Sequence, residues 1–386
     1  MKVLIPQNTV KKPITFKGGF DMKKILLTSA VFAITAFSFG EEKEVNVVSS
    51  VPIEIYGGVS GGYFWTNNTV NSSDKDDRIQ LSNGIIGFKG GLEGNISLKF
   101  DLAIGTLLIP SLWDGGQGNP LSYEFSSGFV SSDGFGIAWG YTSLEPVKGI
   151  SVDAGVLTTN LGYEVANTYV NPNITLGVVW YAQPVIYEGI RANLYLNELV
   201  GIPFSFYIEY NQEFNGDNFA AGTSINILNT DVAINYFDYT NRNDGLDKNL
   251  IDIVFNLSVP FAQIGVNFDY HWWDDKTKKN FKNENKDYDD SAWGLALYVV
   301  PELSLAKGKL TFPIRFEYFD EGKSGIYSGA VGTDNNGWSF TITPTYKPAE
   351  NTFIRFEYAY LSTDKKVINN TDDNKTTVAI EFVFTF

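Results

Sequence analysis

Residues 351–362 read NTFIRFEYAYLS, and residues 311–322 read TFPIRFEYFDEG, so the pentapeptide I-R-F-E-Y occurs twice within about fifty positions. In each copy the large apolar residues fall on alternate positions: Ile314, Phe316 and Tyr318 in one, Ile354, Phe356 and Tyr358 in the other. Arg315 and Glu317, and likewise Arg355 and Glu357, fill the places between them. A helix would scatter these side chains around its circumference, whereas a strand sends them to opposite faces. Each copy is therefore expected to be a β-strand with one greasy face and one charged face.

Working outward, the same period of two recurs along the chain. Ile96, Leu98, Phe100, Leu102 and Ile104 alternate with smaller or polar residues, as do Phe204, Phe206, Ile208 and Tyr210. Ile251, Ile253, Phe255, Leu257 and Val259 repeat the rule, and so do Trp338, Phe340 and Ile342. Two architectures obey it: a soluble sandwich with apolar faces packed between sheets, and a membrane barrel with those faces turned to lipid.

Connection lengths separate the two. About sixteen strands are expected between residues 53 and 386, near the size of known porins. Long polar connections at 67–78, 109–133, 159–184, 241–248, 274–290, 321–336 and 364–374 alternate with tight ones such as 93–94, 144–148, 260–261 and 348–350. Only 215–217 is short on the long side. Loops at one end and turns at the other are the mark of an antiparallel transmembrane β-barrel, with extracellular loops and periplasmic turns. Pro203, Pro313 and Pro344 lie in or at the start of expected strands and should mark strand ends or bulges. Trp65, Trp272, Trp293, Trp338, Tyr318 and Tyr360 lie at strand ends, as interfacial girdle residues would.

Composition agrees. The 386 residues are 15% aromatic and include 37 glycines, one histidine and no cysteine, which suits an all-β protein and excludes disulfides and thiolate metal sites. A formal net charge of -15 argues against a nucleic-acid partner and predicts cation preference in a pore. From Met22, MKKILLTSAVFAITAFSFG (22–40) has the lysines, short apolar run and small-residue end of a secretory signal peptide. Its apolar run is shorter than the ~20 residues of a membrane-spanning helix. Residues 1–21 resemble no protein element and are expected to precede the true start at Met22. Residues 41–52 are expected to be a periplasmic N-terminal segment. At the other end TTVAIEFVFTF places Val378, Ile380, Phe382, Phe384 and Phe386 on one face. This is similar to the C-terminal signal that outer-membrane barrels present to the barrel-assembly machinery.

The sequence offers little to catalysis. A hydrolase could use only His271, with Asp269 on the same face of its strand, and a lone histidine beside tryptophan is more often structural. The acidic stretches at 71–78, 272–290 and 369–375 lack the spaced pattern of a calcium loop and read as solvated outer loops. No cofactor is expected.

The connection after Thr158, TNLGYEVANTYVNPNITLGVVWYAQPVIYEGIRA, is too long and too apolar for a plain surface loop. Inside a wide barrel it would fold inward and narrow the pore. Glu164 and Glu188 would then face Arg191, Arg315 and Arg355, with Glu317 and Glu357 beside them, and opposed charges across a passage act on passing solutes. The plainer alternative is that these charges neutralise each other across neighbouring strands.

LGYE (161–164), the Asn-containing 171–173, PVIYEGIRA (184–192), PIRFEYFDEG (313–322) and TFIRFEYAYLSTD (352–364) together resemble the β-barrel porin-2 family of bacterial outer-membrane proteins. The resemblance implies a pore-forming barrel in the outer membrane of a Gram-negative cell, surrounded by lipid and lipopolysaccharide and passing small hydrophilic solutes or ions. It leaves monomer and homotrimer open. A barrel without an open pore, structural or adhesive, is the alternative.

Overall fold

The computed structural model describes residues 51–69, 72–94, 96–113, 118–121, 135–242, 245–284, 286–366 and 372–386. The upstream segment 1–21, the leader 22–40 and residues 41–50 lie outside the described residues.

The wall starts with β1 (Ile53–Thr69), β2 (Ser72–Leu92) and β3 (Ser97–Pro110), followed by β4 (Gly118–Leu121), which pairs with the end of β3. It continues through β5 (Gly136–Val147), β6 (Ile150–Thr158), β7 (Ile186–Tyr195), β8 (Phe204–Asn211), β9 (Asn218–Ile227) and β10 (Thr230–Tyr239). Then come β11 (Lys248–Val259), β12 (Ala262–Trp273), β13 (Ser291–Ser304), β14 (Lys309–Thr311) and β15 (Ile314–Gly322). β16 (Asn335–Ile342), β17 (Thr345–Ala349), β18 (Thr352–Thr363) and β19 (Asn374–Thr385) complete it.

Every pairing is antiparallel to a neighbour, and β19 returns to β1 with Phe384 opposite Val59. Backbone bonds of 3.0 Å in both directions between Gly57 and Phe386 finish the seam. Closure leaves no free edge, the condition for a sheet to cross a bilayer. β14 and β15 are two halves of one wall strand, broken at Pro313, and β16 and β17 are halves of another, broken at Pro344. With β4 set aside as a loop strand, the barrel has 16 strands. The prolines supply no amide hydrogen, so the ladder lapses where they stand. Pro203 sits just before β8, where only its carbonyl is used, accepting from Asn226 N at 3.1 Å.

The alternation seen in the sequence is realised on the wall. Ile354, Phe356 and Tyr358 are 42%, 44% and 39% exposed on the outside, whereas Arg355 and Glu357 are buried inside. Such a continuous apolar outer surface suits lipid as the solvent. Aromatic rings on it touch from strand to strand, Trp293 with Tyr318 at 5.3 Å and Trp338 with Tyr360 at 5.4 Å. Their place on the outer wall suits the interfacial girdle expected of them.

One expected loop is shorter than its polar composition suggests. β1 and β2 stay paired out to Thr69 opposite Ser72, so the stretch 67–78 is mostly strand and the connection is 70–71. A strand's backbone bonds are met by its partner whatever its side chains are, so polarity alone does not mark a loop.

Candidate functional site

The segment 159–185 is inside the barrel. Its neck is tied by Thr159 N donating to Val185 O at 3.0 Å, and its middle by a two-way contact with the end of β3, Leu112 N to Leu176 O and Leu176 N to Pro110 O. Leu161, Ile174, Leu176, Val178, Val179 and Trp180 are buried, which accounts for a loop this apolar. Trp180 stacks on Trp113 at 6.3 Å, and Tyr163 stacks on Tyr298 of β13 at 3.9 Å.

Folding a loop into a barrel leaves its amides and carbonyls needing partners away from bulk water. The charged faces of the I-R-F-E-Y strands meet that need. Arg315 Nη1 donates to Glu164 Oε1 at 2.5 Å and to Thr175 O at 2.6 Å, while its Nε lies 3.4 Å from Glu317 Oε2. Glu317 in turn accepts from Val179 N at 3.0 Å, and Glu164 accepts from Gly177 N at 2.8 Å. A Cβ at Gly177 would come within 2.1 Å of Glu317 Oε1, so only glycine lets the backbone approach this closely. One strand pair further, Glu357 accepts from Ile174 N at 2.6 Å, Thr175 N at 3.1 Å and Thr175 Oγ1 at 2.5 Å. Arg355 donates to Asn171 O at 2.9 Å and to Glu381 of β19 at 2.8 Å. Arg191 holds the neck, with Nη2 to Thr158 O at 2.7 Å, Nη1 to Asn160 Oδ1 at 3.1 Å and Nε to Glu209 at 2.6 Å.

Six of the seven residues singled out in the sequence therefore meet at the inserted segment or its neck. The exception is Glu188. It is exposed on the outer face of β7, because Arg191 and Tyr187 point inward and Glu188 has the opposite parity. The error has a simple source: its position beside an inserted loop suggested a lumen residue, but strand parity decides facing.

Sequence reading missed Glu209 and Glu381, the partners of Arg191 and Arg355. Each is an inward residue directly opposite its arginine, Arg191 across from Glu209 and Arg355 across from Glu381. Strand register would have found both. Asp269 and His271 do share the inner face of β12, with Asp269 Oδ2 3.9 Å from His271 Nε2 and both buried. Asp269 accepts instead from Gln183 of the inserted loop at 2.8 Å and from Asn267 at 2.9 Å. In the acidic stretch 272–290, Asp274 caps the helix Asp275–Asn283 by accepting from Thr277 N at 2.7 Å. Of the stretch 369–375, residues 369–371 lie outside the described residues, and Asn374 and Lys375 already belong to β19.

At the turn end the lumen opens into polar cavities. Adjoining cavities of about 430 and 330 Å³ share Lys99, Glu145 and Glu198, with Glu93 and Lys148 lining one and Asp153 the other. Carboxylates outnumber amines around them.

A closed barrel with an apolar outer wall, a polar mouth and a loop tied inside its lumen is a porin-type outer-membrane barrel. The chain belongs to the family described as "Putative beta-barrel porin-2, OmpL-like", whose model matches residues 52–386. Its fold is similar to that of OmpF from Salmonella typhi in complex with daunomycin (TM-score 0.62, 13% identity, 87% of this chain and 98% of that one). It is similar also to an anion-selective porin from Comamonas acidovorans (TM-score 0.59, 11% identity, 87% and 100%). OmpT, an outer membrane protein of Vibrio cholerae, matches with a TM-score of 0.58 at 10% identity over 89% and 100% of the two chains. No curated protein matches in sequence.

Proposed function

We propose that this barrel lets small hydrophilic solutes or ions diffuse passively across the outer membrane, with the inserted segment as its filter and cations favoured. The observation that carries the reading is the combination of a loop seated inside the lumen by Arg315, Arg355, Glu317 and Glu357 with an open, carboxylate-rich mouth. The arginines are engaged by loop carbonyls and glutamates, so they set the filter's position, while the mouth carboxylates supply the field that favours cations. Planar-bilayer recording tests this. Conductance with a cation-selective reversal potential is expected; an anion-selective potential would end the cation claim, and silence would end the pore.

A second reading, a closed structural barrel, is favoured by apolar packing in the loop-end half of the lumen. There Leu157, Leu161, Tyr187, Phe237, Tyr239 and Leu250 form one inward cluster. Liposome swelling separates an open pore from this plug. Catalysis is not part of the reading, because Asp269 is committed to Gln183 and the His271 ring is enclosed.

The same reading has the chain exported by the leader 22–40 and delivered to the assembly machinery through Phe386. Sequencing of the mature N-terminus should begin at Glu41. Cross-linking in native membranes distinguishes a homotrimer from a monomer.

A further inference from the structure

Beneath the inserted segment the inner wall carries charges that pairing leaves unbalanced. Lys309 of β14 stands directly opposite Lys347 of β17, and in the next inward rung Thr311 faces Thr345, which faces Arg355 of β18. Like charges directly opposite on a sheet destabilise it. Two of the three cations have carboxylates: Lys309 Nζ lies 2.8 Å from Glu302 Oε1, and Arg355 Nε lies 2.8 Å from Glu381. No ion pair holds Lys347 among the described residues; Glu302, itself paired with Lys309, acts on it only through its field, and the Lys347 Nζ rests 4.9 Å from the centre of the Phe353 ring. Lys347 is half-buried and faces a cavity of about 280 Å³, roofed by Tyr169, Asn171 and Pro172 of the inserted segment and lined also by Glu302, whose charge is met by Lys309.

We propose that this cavity binds a small oxyanion, a carboxylate or a phosphate, with Lys347 as its counter-charge and the Thr311 hydroxyl and Gln263 amide as further donors. A lysine on a flexible stem presents three donors and adapts to either headgroup. Thr345 is not a donor to the ligand, since its hydroxyl donates to Thr343 O at 3.0 Å. Arg355 is saturated and adds only its field. The carboxylates of the mouth line the β2–β7 side of the lumen, and a Debye length of about 10 Å at 0.1 M salt screens them from a site on the β11–β18 side. The site requires a folded barrel and not an open one, so it is independent of whether the pore conducts.

The full chain in detergent micelles is titrated with inorganic phosphate, followed by ³¹P line broadening, and with acetate, followed by ¹³C line broadening. Saturable broadening by at least one of the two is expected. Lys347→Gln should weaken it about tenfold or more, the loss of one charge-assisted hydrogen bond, while Lys347→Arg stays within a few-fold and Lys148→Gln has no effect. Broadening by neither anion, or equal broadening in Lys347→Gln, overturns the proposal. Should Lys347→Gln fail to fold, acetylation of the wild-type chain gives the same answer. Phosphate or acetate should slow modification of Lys347 relative to Lys148 in mapped peptides, and equal rates with and without both anions overturn the site.

Discussion

Arg315 of β15 and Glu164 of the inserted segment meet at 2.5 Å inside the lumen, and both are buried. Removing one partner of such a pair strands the other charge, at a cost of about 3–5 kcal/mol. Arg315→Met should therefore lower the unfolding temperature and give larger, noisier channel currents as the segment loosens. Adding Glu164→Gln should recover part of the stability. Unchanged melting and unchanged currents would show that the segment is seated without this pair.

Glu357 is the acceptor for two successive loop amides, Ile174 N and Thr175 N, and for the Thr343 hydroxyl at 2.8 Å. Glu357→Ala leaves those buried donors unmet, at about 1–3 kcal/mol for each. Limited proteolysis should then cut within 159–185. Glu357→Gln, which keeps an acceptor oxygen, should be cut more slowly than Glu357→Ala, and equal resistance of all three proteins would count against the loop anchor.

Neutralising the mouth is the test of ion preference. Glu145→Gln, Asp153→Asn and Glu198→Gln together also free Lys99, whose Nζ lies 2.9 Å from Glu145. The reversal potential in a salt gradient should move towards anion preference and the permeability ratio should fall several-fold. A potential equal to wild type would place the selecting charges elsewhere.

Stability should fall with rising pH at one point on the loop end. Glu213, in the turn between β8 and β9, is buried, and burial pushes its carboxyl up from 4.5 to about 8 against the pull of the Val185 amide and of Arg242. The folded state then holds a proton that the unfolded state releases, so this contribution is complete below pH 4.5 and is lost as pH rises through 8. Thermal melts of wild type minus Glu213→Gln should decline across that window; a flat difference would show that Glu213 is ionised throughout.

Among the described residues neither ring nitrogen of His271 has a hydrogen-bond partner, and its ring meets Tyr327 edge to face at 5.5 Å. His271→Phe keeps the ring contact and removes two unmet polar atoms, so equal or higher stability and unchanged solute flux are expected. Loss of hydrolysis on a peptide or ester panel would instead restore the catalytic alternative.

The wall of this barrel was legible because its rule is local. A strand between two solvents must alternate, so Ile354, Phe356 and Tyr358 announced lipid and Arg355 and Glu357 announced the lumen from their spacing alone. Pro313 and Pro344 were visible as faults in the ladder for an equally local reason. Glu188 was misplaced because facing inside or outside follows the parity of the strand as it is actually paired, and the neighbouring loop obscured where that strand began. Glu381 was missed because its link to Arg355 is a matter of register between β18 and β19, which neither strand encodes separately.

By itself, then, the sequence determined a closed antiparallel barrel of about sixteen strands, its lipid-facing side, and one connection too apolar to stay outside. Only the tertiary structure decided what the inward charges do. Arg315 and Arg355 turn to the carbonyls of Thr175 and Asn171 because a backbone brought into a barrel must have its polar groups met there, and the balancing carboxylates come from the inserted segment and the same strand for Arg315, Glu164 and Glu317, and from the neighbouring strand for Arg355, Glu381. That arrangement depends on which residues lie across the lumen from one another, information that alternation along a single strand does not contain.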